Sequence, residues 1–465
     1  MQVSSRVGPA QTVTLALALT LIAAGCRTAA TDGPLSDTGS PGAAAAALTR
    51  PAESAGVDWA WLGGVTGTSA VIKAKVAPAS HTQLLVGTAP GVYDPELSVP
   101  AEVVAPHGTD RLVAFHLTDL TPATRYHYAV ALDGAPDAAY AGTFRTFPSG
   151  AADITVAFAS CADTGSDHAV FDRIRAEDPD LFIHMGDLHY EDIAENDLDL
   201  FRAAYDAVLA SPAQSALYRS VPLAYVWDDH DFGANNSAGD SPSRPAALES
   251  YNQNVPHYPL AGTDTPIFQA FTIARVRVLL TDTHSSRDQG SGTMLGATQK
   301  AWLKSELLAG RDDYPLVVWV NPSPWIDEPN AAARLEGTWG AFPDERKEIA
   351  EFITENNIDN VVMLSGDAHM LAIDDGTNNR YGDPGGPPGF PIMQAAAMDR
   401  DGSEKGGPYS EGTFPGGGQY GLMRVTDPGD GAVTVDWSGW NERGERAVDL
   451  RFTVPAHSVD LTRVP

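Results

Sequence analysis

The sequence is poor in cysteine, poor in positive charge and without a long apolar run, and each shortage narrows what the chain can be. Cysteine occurs only at Cys26 and Cys161 in 465 residues. If Cys26 is removed or lipidated, Cys161 stands alone and no intrachain disulfide can form. Lys and Arg number 30 against 60 Asp and Glu, a formal charge of −30. Such a surface repels polyanions and offers no general basic face to nucleic acid. An anionic substrate therefore needs a local positive centre, such as a metal ion. The main apolar run, TVTLALALTLIAA, is too short for a comfortable transmembrane span. There is no G-x-S-x-G elbow, no P-loop and no H-E-x-x-H, so a serine hydrolase is not expected.

What is present begins with an export signal. Arg6 precedes the apolar run, which ends in AAGC at Cys26. Residues 1–26 read as a signal peptide with a lipoprotein-type cleavage site, although Ala23 stands where leucine is usual. The expected location is the bacterial cell envelope through a lipid anchor, with a periplasmic or secreted protein as the alternative. Residues 27–56, rich in Ala, Gly, Ser, Thr, Asp and Pro, read as a flexible tether. Residues 57–148 alternate β-rich runs with turn signals and predict a fibronectin- or immunoglobulin-like sandwich. Its histidines, His81, His107, His116 and His127, read as surface or strand-face residues. Residues 152–455 alternate apolar strands with helical stretches and predict a layered α/β domain closed by a C-terminal hairpin. The Gly/Pro-rich stretch 375–418 is expected to be a long loop.

Five apolar runs end in candidate ligands. ITVAFAS leads to Cys161 and LFIHMG to Asp187, with Tyr190 three residues on. LAYVW leads to Asp228, Asp229, His230 and Asp231, LVVWV to Asn321, and VVMLSG to Asp367 and His369. Open α/β sheets bind ligands beyond the carboxyl ends of their strands. Several carboxylates gathered there would repel one another without cations, so the pattern predicts a metal site. His184 falls inside its strand and reads as core, and His189 alternates away from Asp187 and Tyr190.

In order, GDLHY, DDHD and GDAH resemble the calcineurin-like metallophosphatases. SCAD, WDDHDFGANN, SGDAH and TDTHSSRD are most similar to the PhoD-type alkaline phosphatases and phosphodiesterases of that superfamily. The likeness runs from about Trp59 to the C-terminal hairpin. It implies that Asp187 bridges two metals. One would take Cys161, Asp187, Tyr190 and His369, an anionic and partly soft set that suits Fe³⁺, with Zn²⁺ second. The other would take Asp187, Asp229, Asp367 and either Asn236 or Asn321, oxygen donors that suit Ca²⁺, Mn²⁺ or Mg²⁺. Asn321 reads as a loop cap before Pro322, Asp228 as a carboxylate behind the ligands, and Asp163 as a ligand or a cap.

The resemblance also implies phosphate mono- or diester hydrolysis, by in-line attack of a metal-generated hydroxide. His230 would contact phosphate and protonate the leaving alkoxide. Arg287 is a candidate phosphate contact or a surface arginine. A phospholipase D-like phosphodiesterase shares these motifs. A non-catalytic surface lipoprotein is the rival from another class. Neither oligomeric state nor substrate identity is legible.

Overall fold

The computed structural model describes residues 54–261, 266–382 and 388–455. The signal, the lipidation motif and nearly all of the tether lie outside these residues. Among them no helix is long and apolar enough to cross a membrane.

Two sheets face each other at the centre. The first has ten strands, in the order Arg446–Val454, Val433–Asn441, Gln419–Thr426, Ile154–Ala159, Leu181–His184, Leu223–Tyr225, Val57–Gly63, Ala70–Val76, Asp110–Leu117 and Glu102–His107. The second has seven, in the order Gln269–Ile273, Val276–Leu280, Leu316–Asn321, Val361–Ser365, Ile392–Ala395, Met370–Asp374 and Thr413–Pro415. Side-chain alternation builds the layers. Val278, Leu280, Val318, Val320, Val362 and Leu364 share a core with Val156, Phe158 and Ile183 of the first sheet. Their neighbours Leu279, Val317, Trp319 and Met363 point the other way and pack with Leu303, Leu307, Ile349 and Ile353. Those four come from helices Gly296–Asp313 and Pro343–Glu355. Helices Ala169–Ala176, Leu198–Ala210 and Pro212–Tyr218 carry Phe171, Phe201 and Leu217 into the first core. The result is a mixed α/β fold of helix, sheet, sheet and helix.

The N-terminal strands do not stand apart. Val57–Gly63 runs parallel to Leu223–Tyr225, pairing Gly63 with Leu223, so the first sheet continues into residues 57–117. A further sheet, Val92–Pro100, Thr82–Ala89, Arg125–Leu132 and Ala135–Pro136, completes this region, with Gly142–Arg145 on Arg125–Leu132. A buried polar knot ties it to helix Leu198–Ala210. Asp206 accepts from Trp59 Nε1 at 2.7 Å and Lys75 Nζ at 2.6 Å, and lies 2.8 Å from His107 Nε2. His107 is thus an internal partner, while His116 stays on the surface.

The stretch 375–418 is not one long loop. Ile392–Ala395 is a strand inside the seven-stranded sheet and Thr413–Pro415 pairs at its edge. Its four buried residues, IMQA, are too short a run to stand out among glycines and prolines, and only pairing on both sides makes them a strand.

Candidate metal centre

Four of the five predicted strand ends, those leading to Cys161, Asp187, Asp229 and His369, deliver a donor to one place, and the backbone turns sharply to do so. Cys161, Asp187 and Asp367 lie two or three residues beyond their strands with φ of 64°, 54° and 66°, in the left-handed region that side chains seldom enter. Such residues cluster where a site over-determines the backbone. Gly186, at φ 99°, precedes Asp187, and a Cβ there would lie 2.4 Å from Asp228 Cβ, so the Gly-Asp pair is a packing requirement. The turns interlock. Cys161 N–H donates to Gly186 O at 3.2 Å and Ala162 N–H to Asp187 O at 3.1 Å. Asp231 holds the next turn. Its carboxylate accepts from Asp228 N–H at 2.7 Å, Leu188 N–H at 2.9 Å and Tyr225 Oη at 2.5 Å.

Donor atoms of Cys161, Asp187 and His369 all lie within 4.8 Å of one another, and so do those of Asp187, Asp229 and His230. Asp187 belongs to both groups, with its Oδ1 buried and unpartnered. Its Oδ2 lies 3.4 Å from Cys161 Sγ and accepts from Tyr190 Oη at 2.9 Å. Tyr190 Oη is also 3.2 Å from His369 Nε2. His369 Nδ1 donates to Asp401 O at 2.7 Å, which leaves Nε2 with its lone pair toward the other donors. Burial, reinforced by neighbouring acids, pushes Asp187 up to about 7 and the Cys161 thiol and Tyr190 phenol well above their ordinary values. These groups are held where their anionic forms are costly, and a bound cation is what would reverse that. The donor chemistry, the orphaned oxygen and this electrostatic deficit together fit metal ions.

The remaining candidates separate. Asp229 accepts from Asn236 N–H at 2.5 Å, so Asn236 reaches the cluster through its main chain. Burial opposes ionised Asp229, but His230 and His284 outweigh it and hold the carboxyl below the usual range. Asp367 Oδ1 is bound to Lys405 Nζ at 2.8 Å and belongs to neither donor group. Asn321 is satisfied elsewhere, accepting from Trp339 Nε1 at 3.0 Å and donating to Ser323 O at 2.7 Å. Asp163 pairs with Arg400, whose guanidinium lies 4.1 Å from the centre of the Tyr190 ring. Asp228 belongs to neither donor group and is bonded to His284 Nε2, and burial and Asp187 push its carboxyl well above the usual range. His184 is core, edge-on to Phe182, Tyr218 and Tyr225, and His189 packs edge-on to Tyr205.

Arg287 is buried, not on the surface. Its Nε donates to Thr283 O at 2.9 Å and Nη2 lies 2.8 Å from His284 Nε2, while Nη1 has no partner. It also lines a cavity of about 640 Å³ with Gly239, Arg244 and Ser285. His230 packs on Tyr190, ring centres 4.1 Å apart, and its Nδ1 lies 2.7 Å from Asp192 Oδ1. Burial disfavours charge on His230, yet Asp229, Asp187 and Asp192 raise it to about 10. Asp192 and Lys405 were not foreseen. Asp192 carries no motif signal, and Lys405 lies in the Gly-rich segment whose sequence predicts only a loop.

A family model of PhoD-like phosphatases matches residues 156–403, a little over half of the chain. Alkaline phosphatase D of Bacillus subtilis (strain 168) is 24% identical over 285 residues, 49% of this chain and 48% of that protein. The chain therefore spans about half the length of this curated relative. The solved structure of PhoD superposes with a TM-score of 0.69 at 17% identity, covering 89% of this chain and 94% of that one. Purple acid phosphatase PPD1 from yellow lupin (Lupinus luteus) seeds gives 0.60 at 13% identity, covering 86% and 74%. At these identities the two structures are likenesses of fold.

Proposed function

This chain belongs to the PhoD-like phosphatase family, and on that premise we propose that it is an exported, metal-dependent phosphoesterase acting on phosphate mono- or diesters at a two-metal centre. One observation carries the reading: Asp187 is shared by two donor groups and keeps a buried oxygen without a partner. Cys161, Asp187, Tyr190 and His369 would hold Fe³⁺, with Zn²⁺ second. Asp187, Asp229 and Asp367, with Asn236 beside them, would hold Ca²⁺ or Mn²⁺. Bound ions supply Lewis acidity that polarises a phosphoryl oxygen and acidifies water.

The chain's own residues then have definite work. Asp192 fixes the His230 ring through Nδ1, which leaves the Nε2 proton for a departing alkoxide. Arg287 offers its unpartnered Nη1 to a phosphate oxygen from a buried position. The cavity that Arg287 lines would give room for the ester substituent. Strands 57–148 would form the immunoglobulin-like part of the fold, a reading supported by their two sheets. Export with a lipid on Cys26 is supported by the AAGC sequence. Palmitate label present in the wild type and lost in Cys26→Ala checks it; equal labelling refutes it.

The activity test is hydrolysis of p-nitrophenyl phosphate, bis(p-nitrophenyl) phosphate and phosphatidylcholine, with metal analysis of the purified protein. Cleavage of the first two with iron and a divalent ion bound is expected. Cleavage of phosphatidylcholine alone would move the reading to a phospholipase. No bound metal and no turnover would leave a non-catalytic lipoprotein.

A further inference from the structure

Lys405 lies in none of the motifs, yet its ammonium is built into the centre. Nζ sits 2.8 Å from Asp367 Oδ1 and 3.0 Å from Glu336 Oε2. Asp229 adds to the field that stabilises its charge. The surrounding segment is pinned to the site, since Asp401 O receives His369 Nδ1–H at 2.7 Å and Ser403 N–H donates to His369 O at 3.0 Å. Glu336 is the last residue of helix Ala331–Glu336, and Gly337 turns the chain away at φ 69°. A Cβ at Gly337 would come within 2.1 Å of Arg287 Nη1, so that turn is packed directly on the buried guanidinium. Glu336 is thereby fixed beside the centre without joining either donor group.

The ammonium thus bridges a carboxylate assigned to the second metal and one assigned to nothing. We propose that Lys405 is a tethered cation that holds Asp367 in place of the second metal, and that Glu336 is the position to which its ammonium withdraws when a divalent cation enters. The proposal rests on the two-metal reading in taking Asp367 as a ligand. A divalent ion and an ammonium repel strongly at one carboxylate in a site of low effective dielectric. The lysine must therefore leave Asp367 as the ion arrives. Glu336 already touches the ammonium, so the displaced charge keeps a partner. Lys405 makes the second position selective, since a cation must out-compete it, and keeps the acids compensated meanwhile.

Calorimetric titration of Ca²⁺ into chelator-treated protein tests this, using wild type, Lys405→Met, Glu336→Gln and the double variant. Lys405→Met should bind Ca²⁺ on the order of tenfold more tightly, and Glu336→Gln on the order of tenfold more weakly. A simple loss of field would produce both changes, so the double variant decides. If Glu336 acts by receiving Lys405, Glu336→Gln has no effect once Lys405 is Met. The same factor in both backgrounds overturns the proposal, as does unchanged or weaker binding in Lys405→Met, or no Ca²⁺ binding in either wild type or Lys405→Met. Lys405→Gln serves as a second neutral variant if the methionine form melts early. Wild-type turnover of p-nitrophenyl phosphate with any of these adverse titrations leaves the phosphoesterase reading intact and removes only the lysine's role.

Discussion

The two halves of the centre are built differently. On one side burial disfavours the anionic forms of Cys161 and Tyr190, and these two lie 3.4 Å (Sγ) and 2.9 Å (Oη) from Asp187 Oδ2, with His369 in the same donor group. Arg400 lies over the Tyr190 ring on this side and pairs with Asp163. On the other side Asp229 and Asp367 are occupied by hydrogen-bond partners, Asn236 N–H and Lys405 Nζ. The first half stores its charge deficit as suppressed ionisation, and a metal must displace protons to bind. The second stores it as ion pairing, and a metal must displace a cation. On the proposed two-metal reading, the first would suit a strongly acidic ion and the second a divalent ion that exchanges more readily.

The sharpest break would come from the shared residue. Asp187→Asn should remove metal from both halves and lower turnover of p-nitrophenyl phosphate by roughly 10³-fold or more. Metal content and activity near wild type would refute the bridging role. Tyr190→Phe acts on the first half alone. We expect loss of the visible absorption that a phenolate–iron pair gives, and about 10- to 100-fold weaker retention of that metal, while the Ca²⁺ titration stays unchanged. Absorption equal to wild type would remove the phenolate from the set. Asn236→Gly should have the smallest effect. The main-chain N–H carries the contact to Asp229, and glycine accepts the φ of 62° without strain. Ca²⁺ affinity within about threefold of wild type is expected, since a retained backbone bond costs little. A much larger loss would show that the side chain itself is a ligand.

Much of the site was legible because its residues follow apolar runs, and a strand that ends in a polar residue announces both its length and its direction. Cys161, Asp187, Asp229 and His369 converge as the strand-end pattern required. Asp367 arrives beside them, but bound to Lys405. Less was legible where a contact depends on a loop. Asp192 reaches His230 from a turn with φ 49°, and Lys405 reaches Asp367 from a Gly-rich segment. Neither position carries periodicity or motif spacing. The boundary near residue 148 was read from a change of pattern, and that pattern cannot show that Gly63 pairs with Leu223 across it.

By itself the sequence determined the order of elements, the apolar runs that become the buried strands, the acidic surface and the residue types at the strand ends. These are local properties, set by side-chain periodicity and by the chemistry of one residue at a time. The tertiary structure decided which ends meet, which oxygen stays unpartnered and which carboxylate is held by a lysine. Those depend on left-handed turns, on one sheet continuing through two sequence regions, and on Coulomb interactions among groups far apart in the chain. Such interactions acquire a magnitude only when burial brings the charges within a few ångströms of one another.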